Sequence, residues 1–238
     1  MDSKPARSIR LARSGQSIWQ EWRGFVLFLL VLLLFRSAVA DWNQVPTGSM
    51  QPSILIGDRI GVDKLAYDLR VPFTLTRIAR WSHPARSDVV TFEGGDGRLL
   101  VKRVIGIPGD VVTLQNNKLV INGEPAQYET AGQADIPNAL QRLHKRTHVN
   151  HEQLLGASRM IMTHRFGHPD VSSSFGPVTV PADHYLLLGD NRDKSQDYRS
   201  FDFIHRKFIL GKANRIVFSL DYQNFYLPRS ERFLQPLI

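Results

Sequence analysis

Two residues of this chain have types and settings that point to chemistry, Ser49 and Lys102. Ser49 stands in the bend Val45-Pro-Thr-Gly-Ser-Met-Gln-Pro-Ser-Ile, and Lys102 in the apolar run Leu99-Leu-Val-Lys-Arg-Val-Ile-Gly-Ile. A serine hydroxyl becomes a nucleophile when a base takes its proton, and a lysine serves as that base only while neutral. An ordinary lysine titrates near ~10.4, so about one in a few thousand is neutral at pH 7. Burial among apolar neighbours lowers that value by up to roughly 3–5 units. Leu99, Leu100, Val101, Val104 and Ile105 are neighbours of that kind. The pair suggests a Ser-Lys dyad hydrolase. Taken singly, Ser49 reads as a turn residue and Lys102 as a strand lysine that snorkels.

The elements that must position this pair come from the rest of the chain. Its 238 residues, 42% of them hydrophobic, hold one large domain or one domain with an insertion. There is no cysteine, which excludes disulfides, thiolate catalysis and cysteine-based zinc sites. The net charge of +8 fits an anionic membrane surface or nucleic acid. Its placement favours the membrane, since Lys4, Arg7, Arg10, Arg13 and Arg23 precede an apolar run, against Asp2 and Glu21. No recognition-helix pattern or basic-aromatic interleaving follows, so no nucleic-acid partner is expected.

The apolar run extends from Gly24 to Phe35 without a charge, and through Arg36 to Ala40 it reaches 17 residues. As a helix that is about 25 Å, slightly short of the ~30 Å hydrocarbon core. Arg36 would snorkel outward, with Trp19, Trp22 and Trp42 near the boundaries. The expectation is a single-pass anchor over 24–40, with residues 1–23 cytoplasmic and the rest exported. The competing reading is a removable signal peptide ending in Ala38-Val39-Ala40 before Asp41, a small-x-small signature.

Beyond Ile54, short β-branched runs broken by turn signals predict a mainly β domain over 41–125 and 178–238. Strands are expected at Ile54–Ile56, Arg59–Lys64, Asp88–Phe92, Leu99–Ile105, Asp110–Gln115, Lys118–Ile121, Val178–Val180 and His184–Leu188. Asn116-Asn117 reads as a type I′ hairpin turn. Residues 126–177 are polar and weakly periodic, and read as an inserted cap with a short helix around Ile136–Arg146. His144, His148 and His151 fall at helical spacing, either as a solvated face or as a divalent-metal face; no metal and no cofactor is expected. A His184-Asp190-Ser49 triad is the weaker nucleophilic alternative, because no nucleophile-elbow motif is present.

Four successive segments carry a resemblance. Pro46-Thr-Gly-Ser49-Met-Gln-Pro-Ser-Ile-Leu-Ile-Gly-Asp-Arg-Ile, Asp88-Val-Val-Thr-Phe, Val101-Lys102-Arg103-Val-Ile-Gly-Ile-Pro-Gly-Asp110 and Leu188-Gly-Asp-Asn-Arg-Asp-Lys-Ser195-Gln-Asp197-Tyr-Arg199 resemble the boxes of bacterial type I signal peptidases. Their order and the preceding apolar segment agree with that family, over roughly residues 20–220 apart from the insertion.

The resemblance implies a signal-peptidase-like β-rich catalytic domain behind one transmembrane helix, on the outer face of the inner membrane. Ser49 is then the nucleophile and Lys102 the general base. Thr47 assists the oxyanion site, and Ser195 orients the lysine amine. Asp190 pairs with Arg103 and Asp197 with Arg199, holding the last box against the dyad. Val45, Pro46, Met50, Ile54, Leu100 and Val101 line shallow pockets for small residues at the −3 and −1 positions of a signal peptide. The implied partners are signal peptides of secreted preproteins and the lipid bilayer, with the monomer as the working unit. A dedicated conjugation or pilus-precursor peptidase of the same family, and a catalytically silent exported β-domain, are the alternatives. The chain departs from the family at Asp202 and His205, where glycine and proline are usual, and at Ser87, where glycine is common. The insertion also lacks the cysteines that some relatives carry.

Overall fold

The computed structural model describes residues 10–141, 146–166 and 171–237. In chain order its elements are α1 (Arg10–Ala38), β1 (Ala40–Gln44), β2 (Asp58–Asp63), β3 (Asp68–Arg70), β4 (Arg77–Arg80), β5 (Val89–Glu93), β6 (Leu99–Gly106), β7 (Val111–Gln115), β8 (Lys118–Ile121), β9 (Glu124–Pro125) and β10 (Gln127–Thr130). Then follow α2 (Asn138–Gln141), β11 (Thr147–Leu154), β12 (Ala157–His164), β13 (Phe175–Thr179), β14 (His184–Leu188), α3 (Tyr198–Phe201), β15 (Ile204–His205), β16 (Ile209–Asp221) and β17 (Leu227–Pro228). The protein is mainly β, as its turn-punctuated sequence predicts.

The principal sheet runs β1-β2-β16-β5-β6-β14-β15, with β17 added to β16. A second sheet, β13-β7-β8-β9, packs against it through Ile105, Val112, Leu114, Leu119, Ile121, Val180, Leu186 and Leu188. The turn at Asn116-Asn117 has φ of 50° and 61°, the left-handed pair that a type I′ hairpin requires. On the other side of β6, Val90, Phe92, Val104, Tyr185, Leu187 and Ile209 form a further apolar cluster.

α1 ends at Ala38 and β1 begins at Ala40, so the helix stops short of the 24–40 span expected from the sequence. The cause is local. The Val39 carbonyl accepts from the Lys64 amide at 2.9 Å and Ala40 pairs with Asp63, which diverts the chain into the sheet. Phe25, Leu27, Phe28, Leu33 and Phe35 are among the apolar side chains that α1 leaves exposed. Among the described residues, no helix is long and apolar enough to cross a membrane.

Segment 126–177 differs from its sequence expectation in kind. Among the described residues helix is found at Asn138–Gln141, and residues 147–164 form an antiparallel hairpin whose β11 also pairs with β10. His148 and His151 therefore sit on a strand, where residues three apart face opposite sides, and make no helical face; His144 lies outside the described residues. The polarity that hid these strands comes from a buried charge, because β11 turns Glu152 inward beside Leu154. Nor is the segment separate from the rest. Its Ala131, Ile136, Leu140, Val149 and Met162 pack on Leu55, six residues after Ser49.

Candidate active site

Ser49 is held in a turn that begins where β1 ends. Ile54, expected to begin a strand, instead closes this turn, its amide bonding the Met50 carbonyl at 2.9 Å. Asp58 takes the Leu55 amide at 2.7 Å, and its buried carboxylate is paired with Arg232. Arg232 also donates to the Ser53 carbonyl at 3.0 Å, so the C-terminal region pins the segment that follows Ser49. Val45, Met50 and Ile54 are buried beneath the turn with Ile60, Val62 and Val89, and Val101 packs on them. Ile54 is fully buried, so it supports the floor and presents no surface. Leu100 joins the other cluster, around Val90 and Phe92, while Pro46 is exposed.

Lys102 lies on β6 and donates from Nζ to Ser49 Oγ at 2.9 Å and to the Val101 carbonyl at 3.1 Å. It is 3% exposed and Ser49 9%. Burial lowers the lysine pKa to about 8, against the opposing pull of the Asp197 and Asp190 carboxylates. At pH 7 about one molecule in ten then carries a neutral amine, a gain of several hundredfold over an ordinary lysine. A hydroxyl and a partly neutral amine at hydrogen-bond distance can generate an alkoxide.

Behind the Ser49–Lys102 pair, Arg103 forms a buried two-pronged pair with Asp190, Nε to Oδ1 and Nη2 to Oδ2, both at 2.8 Å. Arg199 forms the same kind of pair with Asp197, at 2.8 and 2.7 Å. Asp197 also accepts the Gly189 amide at 3.0 Å and caps α3 through the Arg199 amide. Both ion pairs thus brace the loop that leaves β14.

Ser195 is placed otherwise than the sequence suggests. Its hydroxyl is buried without a hydrogen-bond partner among the described residues, and Lys102 directs its amine to Ser49 and Val101 instead. Ser195 is wedged against Gly189, where a Cβ would collide with its Oγ. The Thr47 side chain is exposed, next to the Ser49 turn. His184 bonds the Ala182 carbonyl at 2.8 Å and packs its ring on His205, so it is engaged away from Ser49.

Three further contributors were given no role from the sequence. Asn191 donates its amide to the Ser49 carbonyl and its Nδ2 to the Gly48 carbonyl, both at 3.0 Å, tying the last box to the turn. Gly189 permits that approach by having no side chain. Ser87 has a φ of 72°, the conformation that favours glycine, and its carbonyl accepts from Arg103 at 2.9 Å.

A family model described as signal peptidase, peptidase S26, matches residues 19–218, most of the chain. The chain belongs to the peptidase S26 family. Relatives named signal peptidase I include those of Pseudomonas fluorescens, 35% identical over 76% of this chain, and Pseudomonas aeruginosa, 33% identical over 74%. The alignments span 62% and 61% of those two proteins' own lengths. A Rickettsia massiliae signal peptidase I is 31% identical over 87% of this chain and 82% of its own. A crystal structure of a signal peptidase I from Enterococcus faecalis aligns with 55% of this chain and 97% of that one, at 24% identity and a TM-score of 0.34, a likeness too low to carry an argument.

Proposed function

We propose that this S26-family chain is a serine endopeptidase that removes signal peptides from exported preproteins, cutting after small residues at −3 and −1. The observation that carries the reading is the 2.9 Å hydrogen bond between the buried, low-pKa Lys102 amine and Ser49 Oγ. Lys102 takes the Ser49 proton as Oγ attacks the scissile carbonyl, then delivers it to the leaving amine. The Ser49 amide and the Thr47 hydroxyl receive the oxyanion, a role in which one donor is typically worth about 10²–10³ in rate.

The place for the peptide follows from strand pairing. β5 pairs with β6 from Leu99 to Arg103, whereas β14 reaches β6 only from Arg103 to Gly106. The Leu99–Lys102 stretch therefore keeps one edge open, and an extended substrate adds there as a further strand. Val101, half-buried over the core residue Met50, lies on that edge, and the reading assigns it the contact with small substrate side chains.

Attachment to the bilayer by α1, N-terminus cytoplasmic and dyad exported, completes the proposal, with the monomer as the unit. Its support is the exposed apolar surface of α1 from Phe25 to Phe35 and the cationic segment before it. The test is cleavage of a preprotein by the purified full chain in detergent or vesicles. Ser49→Ala and Lys102→Ala are each expected to abolish processing while the fold remains; retained processing by either variant refutes the dyad.

A further inference from the structure

Glu152 lies in none of the four family-like segments, yet it is completely buried and linked to two arginines. Its Oε1 accepts from Arg159 Nε at 2.7 Å and from Arg192 Nη2 at 2.7 Å. Its Oε2 accepts from Arg192 Nη1 at 2.8 Å and from the Tyr128 hydroxyl at 2.8 Å. Burial alone would raise this carboxyl, but the Arg192 and Arg159 charges bring its pKa down to about 2, so it is ionised at any working pH.

We infer that Glu152 is a positioning residue, anchoring the Asp190–Arg192 stretch to the β10-β11-β12 sheet and so setting where Ser49 stands relative to Lys102. The inference rests on the reading of Ser49 and Lys102 as a peptidase dyad.

Two routes lead from Glu152 to the dyad. In the first, Arg192 is gripped by Glu152 through its side chain, and its amide bonds the Met162 carbonyl at 2.9 Å. The Asp190 carbonyl accepts the Met162 amide at 2.8 Å, so Asp190 and Arg192 both face β12. Asn191, between them, faces the other way and holds the Ser49 and Gly48 carbonyls. A shift of Arg192 thus moves the clamp on the nucleophile's own peptide unit.

In the second route, Arg159 donates to Ser87 Oγ at 2.9 Å, and the Ser87 carbonyl accepts from Arg103, the partner of Asp190. Here the departure from glycine at position 87 supplies the hydroxyl that joins the two halves. A buried carboxylate with two guanidiniums is a poor way to gain stability, because apolar residues of similar volume commonly hold a fold as well or better. What the ionic cluster adds is fixed direction, since each carboxylate oxygen must meet its own donors.

The test uses the full chain, with kcat and KM for a small-x-small peptide and thermal unfolding read together. Glu152→Gln is expected to lower kcat about 10- to 100-fold, as displacement of reacting groups by about 1 Å does, with KM changed less than about twofold. The triple variant Glu152→Leu/Arg159→Leu/Arg192→Leu removes all three charges together. It is expected to regain thermal stability over Glu152→Gln while kcat stays low, which separates positioning from charge balance. A folded variant of either kind with wild-type kcat overturns the inference. So does failure of both to fold, since Glu152 is then a core residue only. Wild-type protein that leaves the peptide uncut, or a Ser49→Ala variant that cuts it, overturns the dyad reading instead.

Discussion

Gly189 and Ser195 are packed so closely that a single added carbon on Gly189 would collide with the serine Oγ and lie 2.5 Å from the Ser49 carbonyl oxygen. The second residue of the last box is therefore the point where that box touches the Ser49 backbone. Gly189→Ala is expected to destabilise by about 1–3 kcal/mol, the usual cost of overpacking. Its effect on rate should exceed its effect on stability, with kcat down by about 10²-fold, because the displaced atoms belong to Ser195 and to the Ser49 carbonyl. Denaturant unfolding beside peptide cleavage measures both, and an active Gly189→Ala enzyme refutes the account.

Lys102 gives two pH effects of the same sign. Activity needs the neutral amine, so kcat/KM should rise with pH and level off above an apparent pKa near 8. Stability follows from the same shift. The folded-state value of about 8 lies below the ordinary 10.5 of the unfolded chain. Below pH 8 the amine is protonated in both states, and the folded chain bears the full cost of a buried ammonium. Between the two values the unfolded chain binds more protons, so stability rises with pH and the cost is gone above the window. Lys102→Met should thus be inactive yet more stable at pH 7, by roughly 1–3 kcal/mol, with the gain fading towards pH 10. Equal stability of the two proteins across that range would rule out a depressed lysine.

Asp202 ends α3 with φ 67° and ψ −161°, a backbone region occupied almost entirely by glycine. Relief of that strain by Asp202→Gly should stabilise by about 1 kcal/mol and raise the melting temperature by roughly 2–4 °C. Asp202→Ala, which keeps a Cβ, should give no gain. Calorimetry on the three proteins decides it.

The small-x-small signature Ala38-Val39-Ala40 is folded where a peptidase would need it extended. The Val39 amide bonds the Phe35 carbonyl at 2.8 Å, its carbonyl takes the Lys64 amide, and Lys64 Nζ bonds the Arg36 and Ser37 carbonyls at 3.0 and 3.2 Å. The purified full chain is expected to stay uncut between Ala40 and Asp41. N-terminal sequencing that begins at Asp41 would contradict this.

What the sequence made legible was local chemistry. The polarity of Ser49 and Lys102, set in apolar or glycine-containing surroundings, marked them, and adjacent left-handed asparagines marked the 116–117 turn. Strands whose alternation is broken were not legible. β16, at 13 residues, slips register between Ala213 and Arg215 and again between Ile216 and Phe218, so the alternation of Ile209–Ala213 is lost beyond Ala213. β11 hides its inward face because one buried residue is a glutamate. The Lys102–Ser195 bond was expected from a resemblance, whereas the Lys102 amine bonds Ser49 and the Val101 carbonyl. Asn191 gave no signal because an asparagine in a polar loop looks solvated until its partners are known.

A single residue, Val39, separates α1 from β1. Arg36 is bonded to Asp41 at 2.7 Å and stacked over Trp42, and Lys64 reaches back across the same junction. There is no tether here, only a rigid elbow. With α1 seated in a bilayer as proposed, the sheet cannot swing freely, and the tilt of the helix becomes the aim of the open β6 edge. Each residue added before Val39 would turn the domain by about 100° about the helix axis and lift it by about 1.5 Å. On that proposal, the height and bearing of the cut above the lipid would be written into the phase of a helix that never touches the substrate's scissile bond.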